Sequence, residues 1–277
     1  MTIDCDFCRY HGPIKAVITD LAGTTVDFGS CAPAGSFVEL FQNEGIDVSV
    51  EQAREPMGMH KRDHIRTMLD MPAIVTQWIR VKGRPWTPED LERMFGAFIP
   101  MQLACLPKFN QVIPGVVDTV AGLRKRGICV GANTGYNNEM LEIVLASAAQ
   151  QGFAPDAALC AADVPAGRPA PWMIYRLMEA LEVYPPAAVV KIGDTIADVQ
   201  AGVNAGVWSV GVTRTGNMIG LSESDLAGLS PEELERRTSH AADRLIQAGA
   251  HYVIDGFADL PEVIGQIEDR MREGIGV

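Results

Sequence analysis

Six short apolar runs, separated by longer stretches of helical periodicity, constrain this chain more than any other feature of it. "AVIT" (16–19), "ICVGA" (128–132), "DAALC" (156–160), "AVVKI" (188–192), "VWSVG" (207–211) and "HYVI" (251–254) have the length and content of buried strands. Between them, 116–126, 137–151, 171–182 and 196–205 carry apolar residues at helical spacing. This alternation predicts βαβ units, and so an α/β fold whose parallel sheet is covered on both faces. The spacing is uneven, because more than a hundred residues without a comparable strand separate the first run from the second. That stretch is helical in pattern, as in "FVELFQNEGI", "HKRDHIRTML" and "PEDLERMFGAFIPMQLACL". A second, α-helical domain inserted after the first strand is expected at 30–107, with the core made from 14–29 and 108–277. Residues 1–13 read as a mobile N-terminal extension. "SPEEL" (230–234) predicts a helix start, with a serine cap, proline at the first position and acids in the first turn.

Charge limits what such a chain can bind. Acids outnumber bases 35 to 23, a net charge of −12, which argues against nucleic-acid or anionic-membrane partners. An anionic substrate would need local counter-charge from a metal, an arginine or a lysine. No apolar run is long enough to span a bilayer, and the N-terminus lacks a signal-peptide pattern, so a cytoplasmic location is expected. The six cysteines are scattered rather than set at framework spacing. Cys129 and Cys160 fall in strand-like runs and read as small buried hydrophobes. Cys5 and Cys8, followed by His11, have half the look of a zinc site. With no second CxxC or histidine pair to complete it, that segment reads as a tail of reduced thiols.

Ligands of open parallel sheets bind outside the carboxyl ends of the strands, and four of those ends carry chemistry. The first run delivers Asp20, followed by "LAGTT". The second ends in "NTGY", with Asn133, Thr134 and Gly135 at its tip. "AGRPAPW" follows the third and supplies Arg168. The fourth ends in "GDTIAD", with Asp194 and Asp198. Singly, each has a bland explanation: a turn, a helix cap, a surface arginine. Together, at one end of one sheet, they are hard to dismiss. Asn133 reads equally as a phosphate contact or as an amide satisfying strand-end backbone. A carboxylate attacking a phosphoryl dianion needs charge cancellation by a metal and a cation. Two aspartates with water and substrate oxygens suit Mg²⁺, and Gly23 is expected to free backbone N–H groups for the anion.

The ordered set of aspartate, Ser/Thr, basic residue before Pro-x-Pro, and GDxxxD resembles the haloacid dehalogenase (HAD) superfamily. The resemblance spans nearly the whole core and implies a Rossmann-like HAD core with an inserted helical cap. It implies that Asp20 attacks phosphorus to give an aspartyl-phosphate, that Thr134 and Arg168 hold the phosphoryl oxygens, and that Mg²⁺ sits between Asp20, the Ala22 carbonyl and Asp194. Asp198 would orient that shell.

Ala22 departs from the pattern of the superfamily's phosphatases and mutases, which normally place a second aspartate there to protonate a departing alkoxide. Dehalogenases also lack that acid, but they attack carbon without magnesium, and Asp194 and Asp198 argue against that branch. The insertion offers another solution. In "EPMGMHKRDHIRTM" (55–68), Met57, Lys61, His64 and Met68 share one face if the segment is helical throughout. With Gly58 interrupting the first turn, Met57 sits instead at the helix entrance. A lone lysine ordinarily reads as solvated. Here an imine between Lys61 and a carbonyl substrate would supply an electron sink, so that a C–P bond could break without any leaving oxygen to protonate.

"DLAGTTVDFGS", "PMGMHKRDH", "NTGY", "VPAGRPAPW", "KIGDTIAD" and "GAHYVIDGFADLPEVI" narrow the resemblance to the phosphonatase family of that superfamily. It implies hydrolysis of phosphonoacetaldehyde to acetaldehyde and inorganic phosphate in 2-aminoethylphosphonate degradation. Lys61 would form the Schiff base, with Met57 and His64 lining the site and His64 assisting proton movement. A homodimer is implied as well. The alternatives are a phosphatase or phosphomutase of the same fold, and a binding protein that has lost catalysis. An ordinary lysine leaves no more than ~0.1% free amine near neutral pH. A depressed pKa is therefore expected for Lys61, from burial and from Arg62, His60 or the metal. His60 departs from the small or apolar residue usual before that lysine. Linkers near Ser30–Pro33 and Pro107–Pro114 are expected to hinge the cap.

Overall fold

The computed structural model describes residues 10–277; Cys5 and Cys8 lie outside that range, while His11 Nδ1 is 2.7 Å from the Met271 carbonyl oxygen. Among the described residues six parallel strands form one sheet: β1 (Ala16–Thr19), β2 (Cys129–Thr134), β3 (Ala157–Cys160), β4 (Val189–Gly193), β5 (Trp208–Val212) and β6 (Tyr252–Ile254). Their order is β3-β2-β1-β4-β5-β6. The strand order reverses between β1 and β4, which opens the crevice where doubly wound sheets bind ligands. Register puts the two key acids side by side. Thr19 pairs with Ile192, and Asp20 N–H donates to the Ile192 carbonyl at 2.9 Å, so Asp20 and Asp194 leave adjacent strands at the same level.

Alternation across the strands divides the core. Val17, Val130, Ala132, Val190, Ile192 and Val210 face one buried layer, and Ala16, Ile18 and Val189 face the other, under Ile174 and Leu177. The helices that close these layers include α6 (Val116–Lys125), α7 (Asn138–Gln150), α8 (Trp172–Ala180), α9 (Ile196–Ala205), α11 (Pro231–Gln247) and α12 (Leu260–Arg272); a short α10 (Glu223–Ala227) precedes α11. The expected start of α11 is present, with Ser230 Oγ accepting from the Glu233 amide at 3.2 Å. Cys160 is buried as expected, whereas Cys129, at the open end of its strand, is only half-buried.

Between β1 and β2 lie helices α1 (Cys31–Asn43), α2 (Val50–Arg54), α3 (Lys61–Leu69), α4 (Pro72–Lys82) and α5 (Pro88–Cys105), with no strand among them. This is the helical cap. Ser49 and Thr87 start α2 and α5 with reciprocal capping boxes. Phe37 of α1 stacks on His64 of α3 at 3.6 Å and on Phe98 of α5 at 4.4 Å between ring centroids. Phe37 and Phe41 are both core residues. Among the described residues no helix is long and apolar enough to cross a membrane.

Candidate active site

The apolar strands β1 and β4 end in polar turns, and those turns form the floor of a narrow cleft. Its lining includes Asp20 and Ala22 after β1, Thr134, Gly135 and Tyr136 after β2, Arg168, Thr195, and Met57, Gly58 and Lys61 from the cap. Two glycines let the cap come down. Gly58 has φ +90°, and a Cβ there would stand 2.3 Å from Thr195 Oγ1. A Cβ on Gly135 would stand 2.5 Å from the Met59 carbonyl oxygen.

Lys61 is the first residue of α3 and only 4% exposed. Its Nζ lies 5.5 Å from the Phe37 ring centroid and 5.1 Å from that of Tyr136. Burial, and then the positive charge of Arg168, bring its pKa down to about 8, against the opposing pull of Asp20 and Asp27. The depression expected from sequence is present, but its ionic source is different. Arg62 is paired at the surface with Glu92 at 2.6 Å, and His60 immediately precedes α3 with its ring beside that of Phe95.

Beneath Lys61 the charges interlock. Arg168 Nη1 lies 3.0 Å from Asp20 Oδ1 and also contacts Asp198. Lys191, wholly buried in β4, sits 2.7 Å from Asp198 Oδ1. Thr195 Oγ1 donates to Asp198 Oδ2 at 2.5 Å. Burial alone would raise Asp198, yet Arg168 and Lys191 together hold it below the usual carboxylate range. Asp194 is driven well above that range by burial and by the neighbouring charges of Asp20 and Asp198. Asp20 is also raised, mainly by burial, with Arg168 pulling the other way. Thr134 Oγ1 accepts from the Tyr136 amide at 3.2 Å, which leaves its own hydrogen to donate to an anion in the cleft.

Two expectations need correction. His64 does not line the cleft: it is wholly buried in the cap, stacked on Phe37, with Nε2 2.9 Å from the Ala53 carbonyl oxygen. That contact requires the proton on Nε2, and burial followed by the Lys61 charge keeps the ring neutral, its pKa well below the usual value. Gly23 does not offer a free amide either, because its N–H donates to the carbonyls of Val26 at 2.7 Å and Asp27 at 3.1 Å. Glycine is needed there for another reason. Its φ is +84°, and a Cβ would come within 2.2 Å of Asp194 Oδ2. Met57 is in the turn before α3 rather than on the helix, yet it reaches the cleft. Asn133 is buried with neither side-chain polar atom hydrogen-bonded, so it does not serve to satisfy strand-end backbone.

The sequence profile described as haloacid dehalogenase-like hydrolase matches residues 14–206. A phosphonoacetaldehyde hydrolase from Nitratidesulfovibrio vulgaris is 44% identical over 265 residues, covering 96% of this chain and 95% of its own. The chain belongs to the phosphonoacetaldehyde hydrolase family of HAD-like hydrolases. A member from Syntrophobacter fumaroxidans, named phosphonoacetaldehyde hydrolase-like protein, is 44% identical over 266 residues and 96% of both chains. The crystal structure of a phosphonoacetaldehyde hydrolase-like protein from Oleispira antarctica superposes with a TM-score of 0.94 at 42% identity, covering 96% of this chain and 97% of that one.

HAD-like hydrolases commonly use a divalent metal, and the residues of this family member fit one. Carboxylate oxygens of Asp20, Asp194 and Asp198 lie within 4.8 Å of one another, all buried. Asp20 Oδ1 accepts no hydrogen bond despite its nearness to Arg168. Such a cluster stays ionised only with a cation among it. Asp198 is already engaged by Arg168, Lys191 and Thr195, so Asp20 and Asp194 are the acids with spare capacity, and Ala22 stands beside them in the cleft wall. Gly23→Ala is accordingly expected to weaken divalent-cation binding roughly 10- to 100-fold by displacing Asp194, as measured by calorimetric titration; an unchanged affinity would show that the loop relaxes.

Sequence reasoning passed over several members of this site. Lys191 was visible as a lysine interrupting the apolar run "AVVKIG", an arrangement that demands a buried acid. Tyr136 stood in the quoted "NTGY" without a role. Ser30 and Pro33, beside the start of α1, line the cleft through tertiary folding alone.

Proposed function

We propose that this hydrolase cleaves the C–P bond of phosphonoacetaldehyde in the cytoplasm, releasing acetaldehyde and inorganic phosphate. The observation that carries the reading is the burial of Lys61 in the same cleft as Asp20, opposite Ala22. A phosphate ester would call for an acid where Ala22 stands; an imine does not.

In this reading the neutral Lys61 amine adds to the aldehyde carbon, and with the uptake of one proton from solvent, water departs, leaving a protonated imine. The π faces of Phe37 and Tyr136 suit a cation held at that position. Thr134 and Arg168 receive the phosphonate oxygens and orient phosphorus toward Asp20. The Asp20 carboxylate bonds to phosphorus while the C–P electron pair moves onto carbon, which converts the iminium to a neutral enamine. The enamine then takes up a proton, and water releases acetaldehyde and regenerates the amine. A second water hydrolyses the aspartyl-phosphate. Mg²⁺, held by Asp20, Asp194 and the Ala22 carbonyl, would supply charge neutralisation for the phosphonate. Asp20, Asp194 and Asp198 balance the Lys61 iminium, Arg168 and Lys191 charge for charge, so a bound divalent cation leaves the surplus that a dianion matches. His64, with Nε2 engaged and its ring behind Phe37, acts in support of the Lys61 helix rather than on substrate.

The test is direct. Phosphonoacetaldehyde should yield phosphate and acetaldehyde in equal amounts, while a panel of phosphate esters yields little phosphate; the reverse pattern would favour a phosphatase. A pH dependence follows from the Lys61 environment. With a pKa of about 8, about 10% of the amine is free at pH 7. Borohydride trapping of the aldehyde adduct should therefore rise from pH 6 to 9 with its midpoint near 8. A rise delayed beyond pH 10 would mean that the amine is not buried during the reaction.

A further inference from the structure

Arg54, the last residue of α2, reaches out of the cap into two segments of the core. Its Nη1 donates to the Gly29 carbonyl at 2.8 Å and the Ser30 carbonyl at 3.3 Å, both on the strand-to-cap connection. The same nitrogen donates to Asn217 Oδ1 at 3.0 Å, and Nη2 donates to the Gly220 carbonyl at 3.0 Å. Asn217 and Gly220 lie in the loop after β5. Asn217 answers the contact by donating from Nδ2 to the Arg54 carbonyl at 3.1 Å. The loop is shaped around the guanidinium, because Gly220 has φ +66° and a Cβ there would stand 2.6 Å from Arg54 Cζ. Asn217 is buried, and its backbone N–H donates to Asp194 Oδ2 at 2.7 Å. An unbroken chain of hydrogen bonds thus runs from a cap helix to a carboxylate of the metal cluster.

We infer that Arg54 and Asn217 form a latch that makes cap closure and the placement of Asp194 a single event, so that divalent-metal binding and cap closure favour one another. Arg54 acts as a positioning residue, through Asn217, and touches neither substrate nor metal. These acceptors are carbonyl oxygens and one side-chain amide, so the contact depends on the planar fork of the guanidinium rather than on charge pairing. When the cap lifts, α2 withdraws the fork, the 217–220 loop loses its anchor, and the amide that fixes Asp194 Oδ2 is no longer held. By reciprocity, a cation that needs Asp194 in place stabilises the closed cap to the same extent. The inference stands apart from the identity of the substrate.

Calorimetric titration of the substrate-free protein with Mg²⁺ tests it in the wild type, Arg54→Ala, Arg54→Lys, Asn217→Ala and the Arg54→Ala/Asn217→Ala double variant. Each single change should weaken Mg²⁺ about 10-fold. The double variant should be no weaker than the worse single one, because both remove one device. Arg54→Lys should fail to restore affinity, and it carries the test alone if Arg54→Ala does not fold. In parallel, Mg²⁺ should slow proteolysis at the cap linkers of the wild type and lose that effect in each variant. Wild-type Mg²⁺ affinity in a folded Arg54→Lys variant would overturn the latch, as would strictly additive losses in the double variant. A protein that binds Mg²⁺ as described but does not cleave phosphonoacetaldehyde would leave the latch standing and remove the proposed substrate.

Discussion

Lys61→Arg is expected to reduce phosphate release from phosphonoacetaldehyde by about 1,000-fold or more and to abolish the borohydride-stable adduct on the peptide that contains it. Arginine keeps a positive charge and a comparable reach, so the floor of aspartates keeps a cationic neighbour and the variant should fold. What it loses is the nucleophilic lone pair, because a guanidinium is not deprotonated in this range. The variant therefore separates two uses of a buried cation. If Lys61 served only to attract the phosphonate, the substituted guanidinium would still attract it and much of the rate would survive. Activity within tenfold of wild type would eliminate the imine. The small exposure of Lys61 and its place between Phe37 and Tyr136 explain why the amine is available at all, since desolvation of the ammonium moves its protonation equilibrium toward neutral pH.

Asp20→Asn should produce a different failure of similar size. Loss of the attacking carboxylate is expected to reduce phosphate release on the order of 10,000-fold, while the Lys61 adduct continues to form. The amide matches the acid in shape, and Arg168 retains Asp198 as an ionic partner, so the fold should hold. Borohydride trapping followed by peptide mass mapping reads one half of the chemistry and phosphate release the other. An Asp20→Asn variant that loses trapping and phosphate together would indicate that the acid is needed to hold the lysine rather than to attack phosphorus. Retained turnover would remove Asp20 from the nucleophile's role altogether.

Much of the framework was legible because it is periodic. The six apolar runs became β1 to β6 with ends shifted by at most two residues, and the strand-tip residues Asp20, Thr134 and Asp194 followed from that placement. The helical insertion was legible from its length and from the helical spacing within it. Sequence periodicity could not say which face of α3 looks into the cleft. Lys61 and His64 lie three residues apart, yet one turns toward Asp20 and the other into the Phe37–Phe98 stack, a difference fixed by how α1 and α5 pack. Gly23 was read as a source of free amides because the sequence does not reveal that the turn 21–27 closes on itself through backbone bonds. The partners of Arg54 at Asn217 and Gly220 lie more than 160 positions away, and nothing local in the α2 sequence signals them.

At Gly135 the lower part of the molecule meets the upper with main chain against the Met59 and Gly58 carbonyls, and at Gly58 only the short side chains of Thr195 and Ala197 stand against it. Flexible side chains at such a seam would let the lid ride up by degrees over a bulkier guest. Bare backbone does not yield in that way. The closed chamber is therefore expected to hold its size, so that a guest too large for it meets solvent rather than a looser version of the same enclosure.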